Sequence, residues 1–252
     1  GARFINQGSL TLSSDAGLSF IGGTGTPAFE NLSGIFSKTN GAGVSTFSGV
    51  NVTNTGNFTI ARGGFTVTGV FHQTAGNANL GTNFAASSHV RIDAGIFAGR
   101  GNITGTFFNN GLSSAGAPLG LITGTSWTNS PTGIIRFELG GTSAGTNFDQ
   151  FRLSGPATVN GTADLALANG FVPVPGNTFT CLVTSARSGV FTNLTFSGGY
   201  EFSALYTPTT VVFRAENALP TVNLTVLNGN TQLVCNPFKL VATASDVGGT
   251  IT

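Results

Sequence analysis

The chain has little of what chemistry needs. Its 252 residues include no methionine, two cysteines and two histidines, and only 8% are Asp, Glu, Lys or Arg. A soluble domain is usually about one quarter charged. The net charge of +1 supplies no basic field to hold nucleic acid and no acidic field for cationic partners. No apolar run reaches about 20 residues, so no helical membrane span is expected. Cys181 and Cys235 do not form a Cys-x-x-Cys pair, so no zinc site is expected. They read as two buried small apolar residues or, in an exported protein, as a disulfide whose closeness sequence cannot establish. The chain starts at Gly1 without a charged n-region and apolar h-region. It is expected to be a processed product or a piece of something longer.

Helical patterning is missing as well. No segment carries an i, i+3, i+4, i+7 apolar stripe over three turns, and 38 glycines would weaken any candidate. What is present is short alternation. In Val50-Asn51-Val52, Asn57-Phe58-Thr59-Ile60, Gly64-Phe65-Thr66-Val67 and Gly69-Val70-Phe71, apolar residues recur at every second position until Gly or Asn breaks the run. Alternation means strand, and short strands between Gly and Asn corners mean a chain that keeps turning. A hydrophobic content of 40% is enough to bury a core.

The expected fold is all-β: a right-handed parallel β-helix with wider, irregular final coils and a short C-terminal β tail. Residues 1–111 read as regular coils of roughly 20 residues with three strands each, and 112–216 as wider terminal coils or a sandwich-like cap. Longer strands are expected at 133–139, 148–153, 163–167 and 178–183, and a last one at 205–214. After a boundary near 215–220, residues 217–252 read as a partial immunoglobulin-like segment or connector strands. Two or three strands cannot form a domain alone. Phe58, Ile60, Phe65, Val67 and Phe71 are expected to point inward, with Asn57, Thr59, Thr66 and Thr68 outward.

Candidates for chemistry are few. The nine acids are dispersed, and the reading is one polar residue per outward strand face. Asp149 and Asp164 could meet on neighbouring coils, joined by Arg136 or Arg152. His72 and His89 have only Asp93 as a nearby acidic partner, so outward or corner histidines are expected rather than a metal site. Gly99-Arg100-Gly101 lacks the helix that a phosphate or dinucleotide site needs. Thr66-Val67-Thr68, Thr104-Gly105-Thr106 and Thr123-Gly124-Thr125 would suit an ice-binding file, but their irregular spacing argues against one flat file. No catalytic, metal-ligating or cofactor-binding residue is assigned, and no cofactor or enzymatic activity is expected.

The order Asn54-Thr55-Gly56, His72-Gln73-Thr74-Ala75-Gly76, Gly99-Arg100-Gly101-Asn102-Ile103-Thr104-Gly105, Asn109-Asn110-Gly111 and Gly116-Ala117-Pro118-Leu119-Gly120 resembles bacterial surface proteins with autotransporter-passenger-like β-helix repeats. Phe148-Asp149-Gln150-Phe151 is similar to a conserved strand motif of that family. Ala242-Thr243-Ala244-Ser245-Asp246, followed by Gly249-Thr250-Ile251, resembles a stretch of bacterial immunoglobulin-like modules. The resemblance implies an exported adhesin or surface fibre. The expected function is therefore structural: a segment of an extracellular fibre or adhesin at the bacterial cell surface, associating end to end. Thr221, Val222, Leu224, Val226, Leu240 and Ala242 are the candidate inter-subunit strand residues. The expected partners are copies of the chain or neighbouring domains of a longer parent, with surface glycans as a further possibility. The alternative is a carbohydrate-binding or carbohydrate-cleaving β-helix.

Overall fold

The computed structural model describes residues 1–81, 83–116 and 118–216 with their side chains. Residues 217–218, 221–226 and 240–245 are described as backbone strands. Among the described residues there are strands and turns and no helix. The strands wind into a parallel β-solenoid. One face is a nine-stranded sheet built from one strand of each coil, from Ser9–Leu12 through Asn57–Ile60 to Asn193–Phe196. We call this the second face; the first precedes it in each coil and the third follows it. The first and third faces merge into one 17-stranded sheet. They merge because Gly101–Asn109 and Leu121–Asn129 each run through the corner as a single strand, with a register shift between Ile103 and Thr106.

Alternation decides what points in. On the second face Phe36, Phe58, Ala78 and Phe97 occupy one inward row, paired coil to coil. On the first face Phe29, Val52, Phe71, Val90, Phe107 and Trp127 do the same. Phe58, Ile60, Phe65, Val67 and Phe71 are all buried. The rings touch along the axis: Phe36 stacks on Phe58 at 4.3 Å, and Phe47 meets Phe65 edge-on at 4.8 Å. Phe is favoured here because a three-sided tube is wide, and large rings fill it with few residues.

The corners between the first and second faces carry a polar spine. Asn6, Asn31, Asn54 and Gln73 stand in register and are buried. Asn6 Nδ2 donates to Asn31 Oδ1 at 2.7 Å, Asn31 to Asn54 at 2.7 Å, and Asn54 to Gln73 Oε1 at 2.8 Å. These links span 25, 23 and 19 residues, which measures the shortening of the coils. Ile92 interrupts the spine, and Asn109 resumes it by donating to Asn129 at 2.7 Å. Apart from Asn6, whose amide reaches the Ile35 carbonyl of the next coil at 3.0 Å, each amide also reaches a carbonyl of its own corner, as Asn54 does to Gly56 at 3.1 Å.

After Asn129 the coils widen, and the third face ends differently. Thr178–Val183 pairs in parallel with Gln150–Leu153 on one side and antiparallel with Thr210–Ala218 on the other. Thr210–Ala218 in turn pairs antiparallel with Tyr200–Tyr206. The single strand expected at 205–214 is thus a hairpin, turned at Thr207–Thr210 by Thr207, whose hydroxyl accepts from the Thr210 amide. Strand Leu18–Ser19 is short and leaves Ile21 exposed, and strand Ala186–Gly189 ends before Val190 and Phe191. Thr221–Val226 and Leu240–Ser245 form an antiparallel pair with each other. Residues 227–239, with the expected turn at 228–230 and Cys235, lie outside the described residues, as does 246–252.

Candidate functional site

Among the described residues, polar side chains gather in a buried cluster around Asp149, in outward clusters around Asp164 and Asp93, and along a shallow cleft. The buried cluster forms where residues 118–120 and the excursion 140–149 fold back over the second face. Ser114 and Glu138 are at outward-facing positions of their strands, yet these segments cover them, and Asp149 beneath is fully buried. Ser114 Oγ donates to Asp149 Oδ2 at 3.0 Å and lies 3.4 Å from Glu138 Oε2. The amides of Gly120 and Glu138 donate to the two Asp149 oxygens at 2.8 and 3.1 Å. Burial pushes the Asp149 carboxyl up to about 7 despite those donors, and raises Glu138 too. This corrects the expectation of one exposed acid per outward face: the 140–149 excursion swallows Asp149, and local spacing carries no sign of that.

Asp149 and Asp164 have different partners. Asp164 Oδ2 takes Arg136 Nε at 2.8 Å, and its other oxygen takes the Thr195 hydroxyl at 2.8 Å. Arg152 donates to Gln150 instead, at 3.1 Å. Neither arginine reaches Asp149 within hydrogen-bond distance. Cys181 is buried beside it, and burial lifts the thiol well above its ordinary range. Such a thiol is a poor nucleophile.

On the outward side of the first face, His72, Arg91 and Asp93 meet. His72 Nε2 lies 2.6 Å from Asp93 Oδ2, and Arg91 Nε lies 2.7 Å from Asp93 Oδ1. Arg91 also covers the Phe108 ring at 4.8 Å. The hydrogen bond from Arg91 holds the Asp93 carboxyl below its usual range. His89 is elsewhere, its Nδ1 facing the Thr106 amide at 3.4 Å. Among the described residues no three His, Cys, Asp or Glu side chains form a group able to hold a metal ion.

One buried charge had no sequence signal. Lys38 replaces an apolar residue in the inward row Leu12–Lys38–Ile60 and is fully buried. Its ammonium bonds Asp15 Oδ1 at 2.8 Å and the carbonyls of Gly43 and Arg62 at 3.0 and 3.2 Å.

Of the threonines singled out in the sequence, Thr66 and Thr123 share a row on the third face. Thr46, Thr66, Ala85, Asn102, Thr123 and Arg152 form one outward row. Ala85, Asn102 and Arg152 still prevent an all-threonine file. Beside this row lies a shallow cleft of about 380 Å³.

The first coil leaves its inner surface partly open. Phe4 stacks on Phe29 at 5.6 Å but is 49% exposed, and Leu10, Leu12 and Leu18 are only partly covered. No family model matches the chain, and no curated protein matches it.

Proposed function

We propose that the chain is a structural segment of an extracellular surface fibre or adhesin, of the kind bacteria display, and that it associates end to end. The observation that carries this is the stack: sheets and inward rows run coil on coil along one axis, with an amide spine on either side of Ile92. Such an element transmits load along its length and presents its faces outward. Edge strands at a solenoid's end expose unpaired donors and acceptors, and a partner strand satisfies them. A head-to-tail contact is heterologous and builds an open filament unless its rotation closes a ring. Strands 221–226 and 240–245 are suited to serve as the connector, by strand addition or by stacking on a neighbour's first coil. The inter-subunit role of Thr221, Val222, Leu224, Val226, Leu240 and Ala242 belongs to this proposal, and their side chains lie outside the described residues.

Light scattering of the 252-residue chain over rising concentration, with electron micrographs of the same samples, tests the proposal. Particles that lengthen with concentration are expected, and Phe4→Asp is expected to keep them short. A chain that stays monomeric at the highest concentration would sink the end-to-end association. Polysaccharide cleavage that disappears in Asp149→Asn would overturn the structural role in favour of a carbohydrate-cleaving one.

A further inference from the structure

We infer that the cleft on the third face is a binding site for a carboxylate-bearing saccharide, a role beyond the mechanical one. Its floor is built by strand register. Phe84, Gly101 and Ile122 pair on successive coils, so Asn83, Arg100 and Leu121 fall in one row across three rungs. Asn102 and Thr123 fall in the next outward row. Rungs repeat every ~4.8 Å, a spacing close to the length of one sugar ring. One wall comes from the 140–149 excursion. Gly145 adopts a φ of +73° there, and a Cβ on it would stand 3.2 Å from Leu121 Cβ. The excursion is held in shape by Gly140 N donating to Asn147 O and Gly145 N to Phe148 O, both at 2.7 Å. The volume of about 380 Å³ is within the range of small-ligand sites, roughly 300–1,000 Å³.

Charge and donor pattern name the ligand class. The ion pairs among the described residues engage Arg3, Lys38, His72, Arg91 and Arg136; Arg100, like Arg62, Arg152, Arg187 and Arg214, takes part in none of them, and it alone of these lines the cleft. No Asp or Glu lines the cleft. A guanidinium fork without a protein carboxylate is matched by a ligand carboxylate, bound through two parallel hydrogen bonds. Around it the cleft offers amides and a hydroxyl, suited to ring hydroxyls. Thr123 Oγ1 donates to Asn102 Oδ1 at 3.0 Å, which leaves the Asn102 Nδ2 as the donor to a ligand. Leu121 supplies an apolar patch for the C–H face of a pyranose. An open cleft gives weak single-site affinity, and an array of such segments would compensate through multivalency.

Isothermal titration of the full chain with tri-galacturonic acid tests the site, with neutral galactotriose and inorganic phosphate as the other arms. Saturable binding of the acidic trimer is expected with a Kd of ~0.1–1 mM, and both other probes at least ~10-fold weaker. Arg100→Gln is expected to weaken the trimer by at least ~10-fold without moving the melting temperature. Asn102→Asp, which places a charge in the same cleft, is expected to do the same and serves if Arg100→Gln does not fold. No saturation up to ~10 mM trimer overturns the inference. Phosphate binding as tightly as the trimer reduces the site to a simple anion site and overturns the saccharide. Unchanged affinity in both variants overturns the location. None of these outcomes depends on the filament, which is read by scattering alone.

Discussion

At the scale of the residue, the interior is unforgiving because each coil contributes only a few large side chains. Phe65 is fully buried and in ring contact with Phe36, Phe47 and Phe58. Phe65→Ala is expected to cost about 3–5 kcal/mol, seen as a lower denaturant midpoint at unchanged slope. Lys38 is unforgiving for the opposite reason. Lys38→Met keeps the shape and leaves the exposed Asp15 to water, but takes the donor from the Gly43 and Arg62 carbonyls, and a loss of about 1–3 kcal/mol is expected by the same measurement. Asp149 is expected to make stability depend on pH. Its folded carboxyl holds a proton up to about 7, whereas an ordinary aspartate near 3.8 has released it. The folded state therefore binds more protons in that window, and stability falls as pH rises through it. Melts at pH 5 and pH 8 should show the drop, and Asp149→Asn should remove most of it. A variant with the same drop would shift the origin to Glu138, the other acid raised by burial.

At the scale of the element, the corners rather than the strands set how the coils stack. Gly76 has a φ of +67° and lies against the backbone of the preceding corner, so a Cβ would collide with the Gly56 and Thr55 carbonyls. Gly161 repeats this at the same corner four coils later, with a φ of +66° against the Gly133 and Ser130 carbonyls. The amide spine threads through the same corners. Asn54→Ala would leave the Asn31 Nδ2 and the Gly56 and Asn77 carbonyls short of a partner inside the protein. A loss of about 1–3 kcal/mol is expected. Gly76→Ala should cost as much or more, because neither the backbone conformation nor the space allows the methyl. Thermal melts of both variants check this; an unchanged midpoint for Asn54→Ala would show that the spine is replaceable by water.

At the scale of the whole molecule, stability is shared between neighbouring coils, so it should vary along the axis. The coils holding Val52, Phe71 and Val90 are covered on both sides, whereas the Arg3–Asn6 strand pairs on one side only. Amide hydrogen exchange is expected to be fastest at Arg3–Asn6 and slowest at Val52, Phe71 and Val90. Conditions that lengthen filaments should slow exchange at Arg3–Asn6 first, since that edge would be the one covered. Uniform protection along the chain would mean that the coils unfold as a single unit.

Alternation along the chain determined the all-β fold, the coiled sheet and the inward rows, because a strand's period of two makes facing a local property. The Phe58–Phe71 segment was legible for that reason, and so were the Asn-x-Gly corners, whose residue types are demanded by the turn. Tertiary structure alone decided where Asp149 lies, why Lys38 is tolerated in the core, and how unevenly spaced threonines come to share a row. It also decided that Arg100, Asn102 and Leu121 line one cleft. Stacking register depends on the sum of every corner length between two coils, and an excursion buries whatever it happens to cross. Neither quantity can be read from a window of a few residues, so the chemistry of this surface is set by coils that are distant in sequence and adjacent in space.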